Sequence, residues 1–370
     1  MDFLITSGGV EVSNIIDIRV IRQMTAGNTT AEIIVSSSSG RNQFGGLPVL
    51  TESTLLTIYA SKTNVDTTNP LHRLGTFVVN NFELSPDART IKYVCTDKTF
   101  QMLNRIYVAD ETDLIHNLVY NVVQRINQNG VNQNSVTTNI DSTRSDNSAF
   151  PSVSIFSAKK TAYDQISELS ATSVTGDNRP YIFYYDENEV FHWVYPGNTI
   201  TGSVSYGSQG IVDMKFSKKE TDIVNMVIYD AGQDKNGNSI LGFYLKPDAG
   251  SIKGRMHYEP MVTISQYEKE ALGDIAYAAI SNEDFIALCD AKAQARSETI
   301  VYNYSRGLWE ATVNVRGNRY DIAGLYALNA VDFGFPQNNL RLERITHTLN
   351  KDGWQTTLGY VQDPDELTNI

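Results

Sequence analysis

The stretch LRLERITHTLNKDGWQTTLGYV, residues 340–361, contains two runs of strand-forming residues, 340–349 and 354–361. Asp352-Gly353 stands between them. Asp-Gly flanked by alternating apolar and polar positions is a strong hairpin signal, because glycine accepts the positive φ of a tight turn. One face of the second run carries Trp354, Thr356, Leu358 and Tyr360, and the first run supplies Leu340, Leu342, Ile345 and Leu349. The pattern predicts a closing β-hairpin and carries no catalytic chemistry.

The size and composition of the chain indicate a globular protein of two or three domains. It has 370 residues, 41% of them hydrophobic and 19% charged, with a formal net charge of −12. The negative charge argues against general nucleic-acid binding, which needs clustered Lys and Arg, and the adjacent pairs Lys159-Lys160 and Lys218-Lys219 are isolated. No apolar run is long enough to cross a bilayer, and residues 1–13 lack the features of a signal peptide, so we expect no membrane insertion.

Residues 1–105 have the pattern of a first β-domain. Apolar positions alternate with polar ones around Ile18, and strand-like runs follow at 29–35, 55–60, 75–84 and 90–96. Turn residues separate the runs, namely Gly27-Asn28, the loop 36–48 and Ser85-Pro86-Asp87. Five or more short strands with short spacers predict a small barrel or sandwich.

Residues 106–210 predict a mixed α+β middle domain. Helical spacing of apolar residues predicts a helix over 110–126, with Asp110 as its N-cap and Asn129-Gly130 at its end. A polar segment, 127–152, precedes a second predicted helix over 162–171 that Thr161 and Asp164 open as a capping box. The run YIFYYDENEVFHWVY, residues 181–195, predicts a hairpin that turns at 186–188.

Residues 211–370 predict a second β-domain with one inserted helix near 282–297. Strands are expected at 222–229, 239–245, 299–304, 309–315 and 320–325, before the closing hairpin. Ser281 is the expected start of the helix. The predicted fold class is therefore mainly β with an α+β middle domain, and the two β-domains flank that middle domain.

No segment indicates a metal, cofactor or catalytic site. Asp230, Asp234, Asn236 and Asn238 superficially suggest a calcium loop, but the glycine and glutamate that the pattern requires are replaced by Ser239 and Leu245. A hairpin turn on Asn236-Gly237 is the preferred interpretation. The histidines are scattered and are interpreted as surface residues: His72, His116, His192, His257 and His347. Cys95 and Cys289 are interpreted as small core residues rather than as a disulfide.

One enzymatic and one ligand-binding interpretation of the sequence remain open. A cell-wall glycosidase would need two carboxylates that face each other across a cleft. Acidic residues are plentiful, but no segment of the sequence indicates which two would form such a pair. The aromatic run 181–185 could stack on a sugar. Both faces of that strand carry apolar bulk, which favours a strand buried on both sides or a contact between subunits.

Three places in the sequence resemble the central baseplate-hub family of contractile-tailed phages, the group that includes late-control protein D-like tail proteins. Ile345-Thr346-His347 followed by Asp352-Gly353-Trp354-Gln355-Thr356-Thr357-Leu358 is similar to the closing element of that family. Residues 15–22 and 30–35 resemble its opening hairpin. Residues 161–169, with the strand–turn–strand that ends in His192, resemble its central domain.

The resemblance implies a non-enzymatic homotrimer with two tail-tube-like β-barrel domains in each chain. Three chains with two such domains would form a pseudo-sixfold ring on the sixfold tail tube and present threefold symmetry to a trimeric spike protein. It implies further contacts with other baseplate proteins, DNA that passes through without specific binding, and a place in the virion tail baseplate after assembly in the host cytoplasm. The hub of a bacterial contractile injection or secretion machine is an alternative.

Overall fold

The computed structural model describes residues 2–24, 28–36, 50, 54–85, 89–106, 110–128, 137–141, 153–155, 160–172, 181–197, 199–208, 210–218, 224–246, 255–304, 309–320, 322, 324–330 and 335–362. Strands dominate these residues, and helices cluster in the middle and in one insertion. The mainly β fold with a mixed middle part is confirmed. The predicted loop 36–48, the helix end at Asn129-Gly130 and most of the polar segment 127–152 lie outside the described residues.

The N-terminal part forms seven strands, which we call the first β-half. Strand β4 shows why: Thr29, Ala31, Ile33 and Val35 are buried while the residues between them are half-buried, as one-sided packing of a strand requires. Every strand predicted here is confirmed. The strands are β1 (Asp2–Ser7), β2 (Val10–Glu11), β3 (Ile15–Gln23), β4 (Thr29–Ser36), β5 (Leu55–Ser61), β6 (Arg73–Leu84) and β7 (Thr90–Thr96). A short helix, α1 (Thr99–Asn104), follows.

The middle part differs from its prediction at the start of its first helix. The helix begins at Ile115 rather than at Asp110, because Glu111–Asp113 forms a strand that pairs with residues 153–155. Asp113 lies just before the helix, where its carboxylate accepts the N–H of Leu114 at 2.7 Å and the side-chain amide of Asn117 at 3.0 Å. The elements are β8 (Glu111–Asp113), α2 (Ile115–Gln128), β9 (Thr138–Ile140), β10 (Val153–Ile155), α3 (Ala162–Thr172), β11 (Ile182–Tyr185) and β12 (Phe191–Val194).

Two predictions in the middle part are confirmed. At the start of α3 the Thr161 hydroxyl donates to the Asp164 carboxylate at 2.8 Å and accepts the N–H of Asp164 at 3.1 Å, which is a reciprocal cap. Strands β11 and β12 form the predicted antiparallel hairpin, in which Tyr185 pairs with Phe191.

A unit inserted after two strands, which we call the insertion, is more helical than the sequence suggests. The strands are β13 (Ile200–Ser205) and β14 (Ile211–Lys218), and the insertion contains β15 (Val224–Gln233), β16 (Ser239–Leu245), β17 (Arg255–Pro260), α4 (Thr263–Ala279) and α5 (Asn282–Tyr304). Helix α4 was not predicted. The strand prediction for 299–304 is wrong, because Val301 extends α5 over Val224 and Val227. Helix α5 begins at the expected cap, where the N–H of Asp284 donates to the Ser281 hydroxyl at 3.0 Å.

Four strands complete the chain: β18 (Trp309–Arg316), β19 (Leu325–Ala330), β20 (Phe335–Asn350) and β21 (Gly353–Gln362). The prediction of a strand over 320–325 is displaced towards the C-terminus: the strand in this region, β19, begins at Leu325. With β13 and β14 these strands make the second β-half. The division at 1–105, 106–210 and 211–370 stays a prediction, and β13 pairs in parallel with β19 of the second β-half.

The two β-halves share one sheet of 13 strands. Its order is β14-β18-β21-β20-β3-β4-β7-β6-β5-β1-β2, with β19 and β13 attached to the N-terminal part of β20. The connection between halves is the antiparallel pair of β3 and β20, in which Val20 lies opposite His347. Among the described strands neither half closes into a barrel, so the expected pair of barrels is observed as two parts of one sheet.

The closing hairpin has the predicted strands and a two-residue loop. Asn350 pairs with Gly353, whose φ of +114° suits glycine, and the Asn350 side chain accepts the N–H of Asp352 at 2.9 Å. A bulge between Leu342 and Arg344 shifts the alternation by one residue. The shift explains why Leu342 and Ile345, three positions apart, both face the core.

The hairpin contributes to two hydrophobic cores at once. Its tip, Leu349 and Trp354, packs with Ile18, Ile33 and other residues in the core of the first β-half. Its stem packs in the core of the second β-half through Leu340, Leu342, Ile345, Leu358 and Tyr360. One hairpin therefore holds both halves together by burial as well as by strand pairing.

We expect Trp354→Ala to lower the free energy of unfolding by about 3–5 kcal/mol, because a buried indole leaves a cavity when it is removed. Urea unfolding followed by far-ultraviolet circular dichroism measures the change. The matched control is Gln355→Ala on the exposed face of the same strand, which should change stability by less than about 0.5 kcal/mol. Equal effects of the two substitutions would show that the tip does not support the first core.

Candidate functional site at the junction of the two halves

The residues that resembled a calcium loop form the β15–β16 turn, as predicted. Asp234 accepts the backbone N–H groups of Asn236 and Asn238, both at 2.8 Å, and the side-chain amide of Asn282 at 3.1 Å. Gly237 has a φ of +83° in this turn. The carboxylate is therefore used to hold the turn and the start of α5. Across the parts of the chain that the structure describes, no group of three or more His, Cys, Asp or Glu residues could hold a metal ion.

Both cysteines are small core residues, as predicted. Cys95 lies in the core of the first β-half and Cys289 in the core of the insertion, and both thiols are free and fully buried. Burial raises the pKa of each thiol to about 12, which keeps it protonated and unreactive at neutral pH.

The aromatic run at 181–185 is buried on both faces, which favours the structural interpretation over a sugar platform. Tyr181, Phe183 and Tyr185 face the core of the middle part, where the rings of Tyr181 and Trp193 stack with centroids 5.3 Å apart. Ile182 and Tyr184 pack against the core of the second β-half. Strand β11 thus separates two cores and presents no open aromatic surface.

The surface interpretation of the histidines is wrong for His347. The other four, His72, His116, His192 and His257, are half-buried. His347 lies on β20, opposite Val20 of β3, and is 8% exposed. We call this pairing of β3 with β20, which joins the two β-halves, the seam. The Trp354 indole donates to its Nδ1 at 3.2 Å, and the Thr356 hydroxyl lies 2.9 Å from the same atom. Because an indole N–H only donates, Nδ1 is unprotonated and the neutral ring carries its proton on Nε2.

Near this seam three charged residues from three parts of the chain meet. We call Arg22, Glu187 and Arg319 the junction cluster. The Arg22 guanidinium donates to one Glu187 oxygen at 2.6 Å, and Arg319 lies 2.7 Å from the other. Arg22 belongs to β3, Glu187 to the β11–β12 turn, and Arg319 follows β18. The cluster therefore ties both β-halves to the middle part.

Hydrogen bonds continue from the junction cluster into the first β-half. Arg22 Nε donates to the Thr29 hydroxyl at 3.2 Å, and the N–H of Thr29 donates to Asp97 at 3.0 Å. Arg319 also donates to the carbonyl of Pro70 at 2.9 Å. Burial raises the pKa of Asp97 to about 6, against the opposing effect of the N–H donors of Thr99 and Thr29.

The electrostatics of the seam favour one set of charge states at neutral pH. Burial raises the pKa of Glu187, but Arg22 and Arg319 outweigh it, so the pKa is held below its usual value and the carboxylate stays ionised. Burial lowers the pKa of His347 to about 3, and Arg22 and Arg319 add to that effect. At neutral pH two guanidinium cations therefore share one carboxylate beside a neutral imidazole.

The junction cluster is built for holding parts together rather than for reacting. Both oxygens of Glu187 are in ion pairs, and the side chains of Arg22 and Glu187 are 10% and 15% exposed. His347 has its Nδ1 occupied by an indole. A general base needs access to a substrate proton, which this arrangement does not offer.

Sequence reasoning missed the junction cluster because its members are far apart along the chain, at positions 22, 187 and 319. The nearest local signal is the acidic turn DENE at 186–189. There Asp186 accepts the N–H groups of Asn188 and Val190, and Glu189 pairs with Arg73 at 3.1 Å. Only the fold shows which cations this turn meets.

Glu187→Gln should lower the free energy of unfolding by about 3 kcal/mol, since it leaves two partly buried guanidinium groups without their anion. Urea unfolding at pH 7 measures the loss. The matched control, Glu189→Gln, removes the more exposed pair with Arg73 from the same turn and should cost less than about 1 kcal/mol. A loss for Glu187→Gln no larger than for the control would contradict a holding role.

The buried His347 makes stability depend on pH in a predictable direction. Its pKa is lower in the folded chain than in the unfolded chain, so its contribution is complete above pH 6.5 and is lost as the pH falls towards 3. Between pH 7 and pH 4.5 the loss amounts to about 2.5 kcal/mol. In His347→Gln, which keeps an acceptor for Trp354, we expect the acid sensitivity to decrease by this amount.

Urea unfolding of wild type and His347→Gln at pH 7 and at pH 4.5 measures the difference. Gln355→Ala, at an exposed position on the neighbouring strand, serves as the control and should lose as much stability in acid as wild type. Parallel losses in wild type and His347→Gln would show that the seam histidine does not resist protonation.

Comparison with known proteins finds the same fold in phage tail proteins. The prophage MuSo2 43 kDa tail protein from Shewanella oneidensis superposes with a TM-score of 0.66 at 12% identity, over 99% of each chain. A tail protein from Neisseria meningitidis MC58 gives 0.62 at 10% identity, over 98% of each chain. No family model and no curated protein sequence matches.

A third solved structure comes from a secretion machine. It is an Escherichia coli protein described as a component of the type VI secretion system with structural similarity to the T4 bacteriophage tail proteins gp27 and gp5. Its TM-score is 0.51 at 9% identity, over 97% of this chain and 76% of that one. At such identities the likeness shows the fold, and it confirms the phage-tail fold expected from the sequence.

Proposed function

We propose that this chain is the structural hub of a phage tail baseplate, and that three copies form a ring which joins a sixfold tail tube to a trimeric spike. The observation that carries the proposal is the division of the large sheet into two β-halves joined by β3 and β20. Apart from the two-residue β2, each half contributes six described strands. Three chains would supply six such halves.

Symmetry explains why a hub would contain two similar halves in one chain. A closed threefold ring uses head-to-tail contacts, in which one surface of a copy meets a different surface of the next. With two β-halves in each copy, a ring of three copies then presents six comparable units to the tail tube. The same ring keeps threefold symmetry on the side that meets the spike.

Open strand edges support assembly through backbone pairing. Among the described strands, β14 pairs only with β18 and β13 pairs only with β19, so each leaves one edge without a strand partner. Such edges pair readily with a strand of another chain. Contacts with the tube, the spike and other baseplate proteins would use the same principle.

The charge of the chain suits a channel for DNA. With a net charge of −12, the chain would repel phosphates rather than bind them, and DNA could pass without adhering. None of the described helices is long and apolar enough to cross a membrane. Because its neighbours in fold are phage tail proteins, the place of action that we propose is the tail baseplate of the virion, after assembly in the host cytoplasm.

The role is architectural rather than enzymatic. The support for this part of the proposal is that the neighbours in fold are tail proteins, and that the ion pairs of the junction, the aromatic run at 181–185 and the protonated cysteines all serve packing or attachment. The likeness to the type VI secretion component makes the hub of a bacterial injection machine the second candidate.

We expect the purified chain to have three times its monomer mass in light scattering or, after mixing with the trimeric spike protein of the same virion, that mass plus the mass of the spike trimer. Bovine serum albumin in place of the spike is the control for nonspecific association. A chain that stays monomeric in both mixtures would overturn the hub proposal, and release of soluble fragments from cell wall would favour a hydrolase.

A further inference from the structure

The three-stranded sheet of the insertion is covered on one face. Its order is β16-β15-β17, and helices α4 and α5 pack on one side. On that side Val227 packs with Val301 of α5, and Tyr229 packs with Phe285 and Cys289. Because successive residues of a strand point to opposite faces, the residues between these project from the other side of the sheet.

That other side is an aligned apolar surface, which we call the open face. In the register of the sheet Met226 lies between Leu245 and Met256, and Ile228 lies between Phe243 and Tyr258. Leu245, Phe243, Met256 and Tyr258 are between 51 and 67% exposed, and so is Leu241 in the next row. A soluble sheet with one buried face normally presents polar side chains on the other.

The area of the open face is sufficient for a stable interface. At these exposures the five edge-strand side chains present about 600 Å² of apolar surface, given about 200 Å² for a large side chain. An equal contribution from a partner brings the buried total to about 1,200 Å², the lower end of specific interfaces. Monomeric proteins rarely leave a contiguous apolar patch of this size exposed.

The charge of the open face indicates which partner fits. In the third row Asp230 lies between Leu241 and Pro260 and is the one carboxylate or cation among the nine positions of the face. Its carboxylate already accepts the N–H of Gly232 at 3.0 Å. A patch in which eight of nine positions are uncharged and mostly apolar is typical of permanent contacts between copies of one chain, which resemble a domain core cut in two.

We propose that the open face is buried against a neighbouring copy of this chain in the trimer, an inference that rests on the proposed hub function. Each copy carries a net charge of −12, so copies repel one another and association needs an apolar contribution. The insertion then serves as the part of the hub that joins one copy to the next.

The first experiment places a charge in the centre of the open face of the full chain. Phe243→Asp should raise the protein concentration at which half of the chain is trimeric by at least tenfold, in sedimentation equilibrium under the conditions in which wild type assembles. Ile275→Asp is the matched control. Ile275 is 89% exposed on α4, away from the sheet, and its substitution should leave assembly unchanged.

The second experiment does not depend on a disruptive substitution. In Leu245→Cys the engineered thiol is the accessible one, because Cys95 and Cys289 are fully buried. Maleimide labelling of Leu245→Cys should slow at least tenfold in the trimer relative to diluted monomer, whereas Ile275→Cys should label at the same rate in both. Equal rates for Leu245→Cys in trimer and monomer would overturn the inference.

The outcomes separate the inference from the proposed function. A wild-type trimer that Phe243→Asp does not weaken, and in which Leu245→Cys is not protected, overturns the role of the open face and leaves the hub function standing. A protected open face in a dimer or tetramer supports the contact between copies and overturns the threefold hub. A chain that never assembles overturns both.

Discussion

The antiparallel pairing of β3 with β20 is the contact on which the architecture depends. It converts two sets of strands into one sheet, and the hairpin that contains β20 places its tip in one hydrophobic core and its stem in the other. The register is well specified, because a slip of one residue would turn Leu349 and Ile345 out of their cores. The relative arrangement of the halves is therefore set by burial along a single hairpin.

Electrostatic contacts add a third point of attachment beside that seam. Glu187 brings the middle part to Arg22 and Arg319, which lie on different β-halves. Buried ion pairs cost desolvation and often stabilise less than apolar contacts would. Their geometry is nonetheless selective, since a carboxylate that accepts from two guanidinium groups at 2.6 and 2.7 Å tolerates little displacement. Apolar burial therefore supplies most of the cohesion, and the junction cluster limits how the three parts are oriented.

Features that depend on neighbours in sequence were predictable, and features that depend on distant residues were not. The strands of the first β-half, the caps at Thr161 and Ser281 and the Asp352-Gly353 hairpin follow from local chemistry. Helix α4 was not predicted because Gly273, with a φ of +69°, interrupts its helical pattern. Residues 299–304 are mostly β-branched or aromatic, yet they are helical, and Val301 packs over Val224 and Val227 of β15. The junction cluster and the burial of His347 required pairing across more than 100 residues, which no local pattern encodes.

The position of the closing hairpin has a consequence for biosynthesis. The core of the first β-half contains Ile5 and Ile18 from the start of the chain and Leu349 and Trp354 from its end. While the ribosome is still translating, the N-terminal strands lack those last side chains and the backbone partner of β3. Contacts of such long sequence separation form slowly. The nascent first β-half must therefore wait with an incomplete core and an unpaired strand edge until the closing hairpin emerges.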